Sequence, residues 1–136
     1  MANLDINSVI FDCADPERVA AFWSELLRRP IRGRTGPYVW LERRDDVGVG
    51  FQRVAEPTVG KNRLHLDVEA DDPVAEQRRI ESLGGRRLDE YASGGFLVMA
   101  DPEGNEFCVI PSGPFELDDD GRTTYLESGT DPSAHA

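Results

Sequence analysis

Residues 62–73, NRLHLDVEADDP, hold a short alternating segment followed at once by a helix-start signal. Every second side chain of the segment is apolar, and the side chains between them are polar: His65, Asp67 and Glu69. This alternation predicts a strand with one covered face and one polar face. The Asp-Pro pair at 72–73 supplies a helix N-cap and a first-turn proline. The segment therefore predicts a strand that leads directly into a helix.

The same plan occurs in the first half of the chain. Shifting by 57 residues places Asp72-Pro73 on Asp15-Pro16, and His65 on Ser8. Residues 15–27 have apolar side chains at helical spacing, and a strand-like run at 8–14 precedes them. Short strand-like runs follow each helix, at 31–34, 38–42, 48–54, 87–91, 96–100 and 106–110. The chain thus predicts an α+β fold of two βαβββ modules with about eight strands and two helices outside.

The modules are expected at about residues 5–56 and 62–111, within one domain over 1–111. An acidic tail follows at 112–136, with six acidic residues and one arginine over 111–136. Its stretch GPFELDDDG has a composition typical of disorder. Four apolar tail residues are nevertheless expected to anchor it on the body or on a partner subunit: Phe115, Leu117, Tyr125 and Leu126.

Alternation also predicts which residues share the sheet faces that the helices do not cover. Seven polar or reactive side chains are expected on these faces, which is more than an ordinary surface would bring together and indicates a pocket. They are those of Asp12, Gln52, His65, Asp67, Glu69, Glu106 and Cys108. For Tyr38 and Trp40 on the third strand two interpretations remain open: they line this pocket, or they belong to the core.

Composition excludes several classes of function. The net charge of −11 argues against nucleic acid, whose phosphates require a basic surface. Apolar runs fall short of the roughly 20 residues that a membrane span needs. The sequence shows no secretion signal, and two cysteines are too few for a disulfide scaffold, so a cytoplasmic protein is expected. Cys13 and Cys108 are expected on opposite sheet faces, which excludes a disulfide between them.

The chain resembles the glyoxalase-like and bleomycin-resistance branch of the vicinal-oxygen-chelate superfamily. Three motifs carry the resemblance: FDCADPERVAAFW (11–23), RLHLDVEADDP (63–73) and MADPEGNEFCVI (99–110). The resemblance implies that the sheets of the two modules curl into a cupped half-barrel with the active site in the cup, usually in a dimer. It also implies that metal-using relatives take ligands from positions that correspond here to Ser8, Gln52, His65 and Cys108.

That ligand set is incomplete by its chemistry. Ser8 is a poor ligand for a divalent ion, and a cysteine such as Cys108 suits zinc rather than oxygen-preferring metals. We therefore expect the usual full metal site to be missing, and any metal to bind at His65, Gln52 and Cys108, with Glu106 as a substitute ligand. Purely structural roles remain open as alternatives to metal binding. His65 would then be a hydrogen-bonded strand residue, and Cys108 a small buried apolar side chain.

Two functions of different classes follow. The first is a binding protein that holds a small cationic, aromatic-bearing molecule in the cup, stacked on Trp40 or Tyr38. The second is an atypical lyase, isomerase or dioxygenase that uses His65 as general base or metal ligand, assisted by Glu106 or Cys108. The identity of the ligand or cofactor is not fixed by the sequence. A homodimer is expected because the apolar tail residues favour burial.

Overall fold

The computed structural model describes residues 5–56, 60, 62–88, 97–112, 115–117 and 123–125. The chain divides into two compact units, and the division falls between residues 61 and 62. Among the described residues, each unit contains one helix and one four-stranded sheet, and the second unit also contains a two-stranded sheet. The prediction of an α+β fold with two βαβββ modules is therefore confirmed. The boundary of the domain at residue 111 stays a prediction.

The first module is a mixed sheet with its helix against one face. Its first and last strands, β1 and β4, run parallel and lie side by side, and β3 and β2 follow in antiparallel order. Its elements are β1 (Ser8–Cys13), α1 (Pro16–Leu27), β2 (Ile31–Thr35), β3 (Tyr38–Leu41) and β4 (Gly48–Arg53).

Helix α1 begins where the sequence predicts. The carboxylate of Asp15 accepts a hydrogen bond from the backbone N–H of Arg18 at 3.2 Å, and Pro16 occupies the first turn. Val19, Phe22 and Trp23 of the apolar stripe are buried. The Trp23 ring lies 5.1 Å from that of Phe11 on β1. Phe11 in turn stacks on Phe51 of β4, with ring centroids 5.3 Å apart. These aromatic contacts form the core between helix and sheet.

The second module repeats the topology. Its strands lie in the order β5-β8-β7-β6, with β5 and β8 parallel. Asp72 caps its helix by accepting from the backbone N–H of Ala75 at 3.2 Å. Its elements are β5 (Leu66–Ala70), α2 (Pro73–Ser82), β6 (Arg86–Arg87), β7 (Leu97–Ala100) and β8 (Glu106–Pro111).

The bounds of two strands differ from the sequence prediction. Strand β5 begins at Leu66, so His65 precedes the strand instead of lying within it. Of the predicted strand at 87–91, only Arg87 belongs to β6, and residues 89–91 lie outside the described part of the chain.

Neither α1 nor α2, the helices among the described residues, is long and apolar enough to cross a membrane.

The tail contains regular structure that its composition did not predict. β9 (Phe115–Leu117) pairs antiparallel with β10 (Thr123–Tyr125), and Tyr125 is opposite Phe115. The interpretation of the stretch GPFELDDDG as disordered is wrong for its residues Phe115–Leu117. The reason is local, because both strands contain aromatic or β-branched residues with high strand propensity. Leu126, named above as an anchor, lies outside the described residues.

Candidate functional site

The polar face of the second module is built by the parallel pairing of β5 with β8. This register places Asp67 beside Cys108, and Val98 of β7 lies on the other side of Cys108. Phe107 and Val109, which alternate with Cys108, are buried on the opposite face. Cys108 packs with Val98 and Ala100 of β7, as expected for a face of β8 that differs from the face of Phe107 and Val109. Because alternate residues point the same way, Asp67 and Cys108 share the face that α2 does not cover.

A nitrogen, an oxygen and a sulfur donor meet on this face. Nε2 of His65 lies 3.3 Å from Oδ1 of Asp67, and both side chains are about half exposed. One ligand atom from each of His65, Asp67 and Cys108 lies within 4.8 Å of the others. The sequence named all three as site residues, but it named Asp67 as a pocket residue and not as a metal ligand.

Cys108 is the buried member of this group. Its side chain is 7% exposed and packs with Leu88, Val98 and Ala100, with Ile110 against the same cluster. Neither Cys108 nor Cys13 forms a disulfide. The apolar packing holds the thiol in place, while His65 and Asp67 remain open to solvent.

Glu106 is engaged by the chain segment that precedes His65. Its carboxylate oxygen Oε2 accepts a hydrogen bond from the backbone N–H of Asn62 at 2.9 Å, and the side chain is buried. The side-chain amide of Asn62 donates to Oδ1 of Asn105 at 2.8 Å. Glu106 therefore fixes the approach to β5, while its role as a catalytic assistant stays a prediction. Asn62 was not identified from the sequence, because its partners lie more than 40 residues away along the chain.

The first module presents an aromatic surface on the face that α1 does not cover. Val39 and Leu41 of β3 are buried, whereas Tyr38 and Trp40, which alternate with them, are half-buried. The rings of Tyr38 and Trp40 stack, with centroids 5.5 Å apart and planes inclined by 17°. The two rings therefore lie outside the core that α1 covers, and their role in lining a pocket stays a prediction. We call this pair the aromatic platform.

Gly50 makes room for the platform. A Cβ atom at Gly50 would lie 2.6 Å from Cζ3 of Trp40 and 3.1 Å from Cδ1 of Ile10. The indole therefore lies directly over the backbone of β4. The sequence analysis missed this residue, although a glycine inside a strand is a known sign of close approach.

Two polar residues lie beside the aromatic platform on the neighbouring strands β4 and β1. Gln52 pairs with Tyr38 on one side and with Asp12 on the other. Asp12 is exposed and Gln52 is partly exposed. A carboxylate and a carboxamide thus border the stacked rings on the same face.

The four ligand positions implied by the resemblance do not all suit a metal ion. Oγ of Ser8 donates a hydrogen bond to Oδ1 of Asn7 at 2.7 Å, and a neutral hydroxyl is a weak ligand in any case. The donors of the second module, by contrast, are of the types that zinc binds. The group of His65, Asp67 and Cys108 offers donors that suit a divalent ion, with Asp67 added to the residues that the sequence suggested. Metal binding by Gln52 stays a prediction.

Comparison with known families agrees with this fold. A family model described as a glyoxalase-like domain matches residues 8–110, which is most of the chain. The protein therefore belongs to the glyoxalase-like family, within the vicinal-oxygen-chelate superfamily. No curated protein sequence gives a significant match.

Solved structures share the fold at low sequence identity. A glyoxalase-related enzyme from Fulvimarina pelagi is 15% identical, with a TM-score of 0.63 over 90% of this chain and 98% of that one. A glyoxalase/bleomycin resistance protein from Albidiferax ferrireducens T118 is 20% identical, with a TM-score of 0.61 over 79% and 98%. A glyoxalase/bleomycin resistance protein/dioxygenase family enzyme from Burkholderia phytofirmans PsJN is 18% identical, with a TM-score of 0.63 over 79% and 98%.

Proposed function

We propose that the protein binds a small aromatic molecule that carries a positive charge, and that it does so without the usual full metal site of its superfamily. The observation that carries the proposal is the aromatic platform of Tyr38 and Trp40, stacked on the sheet face away from α1. Aromatic faces attract both planar ligands and cations. A platform held over Gly50 is ordered before binding, which lowers the entropy cost of capturing a ligand.

Charge supports the choice of a cation. The exposed carboxylate of Asp12 lies on the same face as the platform, and the whole chain carries a net charge of −11. A negative field raises the local concentration of cationic ligands and disfavours anionic ones. The carboxamide of Gln52 offers a donor and an acceptor that orient a bound molecule.

A panel of planar compounds, matched in ring size but differing in charge, tests the proposal by thermal shift and calorimetry. We expect cationic members to raise the Tm and to bind more tightly than neutral or anionic ones. Trp40→Leu should weaken binding by about two- to thirtyfold, because a cation over an aromatic face contributes about 0.5–2 kcal/mol. Asp12→Asn should lower the preference for cations. Glu25→Gln makes the same change of charge at an exposed position of α1 and should leave that preference unchanged. Equal binding by wild type and Trp40→Leu would contradict the proposal.

A second candidate function is a metal-dependent enzyme of the lyase, isomerase or dioxygenase type. The observation that favours it is the group of His65, Asp67 and Cys108, whose donor atoms lie within 4.8 Å of one another. These residues would hold a divalent ion, which supplies Lewis-acid polarisation of a substrate oxygen. The half-exposed His65, paired with Asp67, is placed to accept a proton when no metal is bound. Turnover of a substrate panel that requires added metal and fails in His65→Gln would favour this enzyme over the binding protein.

We also propose that the protein acts as a homodimer. Ile6 is 75% exposed and Leu64 is 86% exposed, and both precede the first strand of a module. Burying a leucine side chain contributes about 1.5–3 kcal/mol, which favours a partner at these positions. Light scattering at tens of micromolar should give the mass of two chains, and Leu64→Ser should weaken the dimer at least about tenfold. A monomer at that concentration would contradict the proposal. The cytoplasmic location stays a prediction.

A further inference from the structure

We infer that the second module binds one zinc ion through an imidazole nitrogen of His65, a carboxylate oxygen of Asp67 and the thiolate of Cys108. Asp67 is the new ligand, because the resemblance to metal-using relatives already implies ligands at the positions of His65 and Cys108. All three residues belong to the second module, so the site needs no residue from the first. The inference rests on the metal group of the second candidate function, and it is independent of the small-molecule binding proposed for the first module.

The separations of the donor atoms suit a zinc ion. Zinc binds nitrogen and oxygen at about 2.0–2.2 Å and sulfur at about 2.3 Å, so neighbouring ligands of a tetrahedral ion lie about 3.3–3.8 Å apart. The distance from His65 Nε2 to Asp67 Oδ1 is 3.3 Å, and every pair in the group lies within 4.8 Å. The exposed side chains of His65 and Asp67 can close the remaining ångström by rotation, since only Cys108 is packed.

The chemistry of the donors selects the metal. A thiolate with an imidazole favours zinc, whereas magnesium and calcium require oxygen ligands. Three protein ligands leave the fourth position of a tetrahedral ion to water or to a donor atom of a bound molecule. The apolar packing of Leu88, Val98 and Ala100 around Cys108 fixes the direction of the sulfur ligand. The surrounding residues therefore hold the ligand that contributes most to the choice of metal.

Metal binding is measured directly, without an activity assay. Equilibrium dialysis of the full chain against Zn²⁺, followed by elemental analysis, should give one ion per chain, and excess Mg²⁺ should not displace it. Co²⁺ as a substitute should give a near-ultraviolet thiolate charge-transfer band. Less than about half an ion per chain, or a cobalt complex without that band, would overturn the assignment.

Matched variants separate the three ligands from general effects of charge or packing. Asp67→Asn should weaken zinc binding at least about tenfold, since loss of even an outer-shell partner costs about 10- to 100-fold. Glu69→Gln removes the same charge two residues along the same exposed face and should have little effect. Cys108→Ser should abolish the cobalt band, whereas Cys13→Ser, at the buried cysteine of the first module, should retain it. Equal effects of Asp67→Asn and Glu69→Gln would overturn the role of Asp67, whatever the Trp40 variants show for the small molecule.

Discussion

Single residues decide how the two candidate surfaces are shaped. Gly50 has no side chain, and the indole of Trp40 occupies the space that a Cβ would need. On the other module, the buried Cys108 fixes one donor while the side chains of His65 and Asp67 are about half exposed. The sequence predicts the types of these residues and the alternation that aligns them. It does not predict that the ring lies on Gly50, because that contact depends on the register between β3 and β4 and on a rotamer.

We predict that Gly50→Ala displaces Trp40 and impairs the aromatic platform. A Cβ there would lie 2.6 Å from Cζ3 of Trp40, which no neighbouring ring can tolerate without moving. Acrylamide quenching of tryptophan fluorescence should increase, because Trp23 is fully buried and Trp40 becomes more exposed. Gly33→Ala is the matched control in the same sheet, because its Cβ would meet nothing within 4 Å. Identical quenching in both variants would contradict the contact.

Asp101 holds the turn between β7 and β8. Its Oδ1 accepts from the backbone N–H groups of Glu103 and Asn105 at 2.9 and 3.0 Å, and its Oδ2 accepts from the Asn105 amide at 2.8 Å. The sequence predicts a turn at DPEGN, and the structure adds that its first residue is 2% exposed. The turn determines where β8 begins and thus where Glu106 and Cys108 lie.

Replacing Asp101 by alanine should destabilise the protein by about 2–3 kcal/mol, because two backbone N–H groups lose a charged acceptor. Urea unfolding followed by circular dichroism measures the change. Asp101→Asn keeps an oxygen at the Oδ1 position and should cost clearly less. If the two variants lose the same stability, the hydrogen bonds to Oδ1 do not hold the turn.

At the scale of elements, the sequence predicts order and caps better than boundaries. Asp15 and Asp72 cap the two helices as expected, because Asp followed by Pro acts through local geometry alone. The start of β5 moves to Leu66, since the preceding residues are held by Asn62, whose partners Asn105 and Glu106 are distant in sequence. Local patterns cannot report such long-range hydrogen bonds.

An ion pair links two elements of the first module. Arg34 of β2 donates to both carboxylate oxygens of Glu17, in the first turn of α1, at 2.5 and 2.9 Å. These hydrogen bonds from Arg34 hold the pKa of Glu17 below its ordinary value, and Glu17 raises the pKa of Arg34. Both side chains are largely exposed, so the stabilisation is small and sensitive to salt.

The pair should make a small, pH-dependent contribution to stability. Because the folded-state pKa of Glu17 lies below the unfolded value, the contribution is present above the unfolded pKa and is lost as the pH falls through the folded one. A double-mutant cycle of Glu17→Gln and Arg34→Gln, measured by urea unfolding, should show coupling at pH 7 that disappears in acid. Coupling that is unchanged in acid, or absent at pH 7 and low salt, would contradict the pair.

At the scale of the whole molecule, the chain carries two copies of one module with different side chains on corresponding faces. The first module presents aromatic rings beside Asp12, and the second presents His65, Asp67 and Cys108. The repeat, the fold and the family could be predicted from three sequence motifs, because caps and alternation repeat in both halves. The choice of ligand could not, because it depends on how rings and donors are arranged in space.

The most direct test of the central claim uses the two tryptophans as internal reporters. In ¹⁵N-labelled protein, the indole N–H groups of Trp23 and Trp40 give two signals, of which the first comes from a fully buried ring. Titration with a cationic aromatic compound from the panel should shift the Trp40 signal in a saturable manner and leave the Trp23 signal in place. If no cationic compound shifts the Trp40 signal at millimolar concentration, or if both signals shift alike, the protein does not bind such molecules on the aromatic platform.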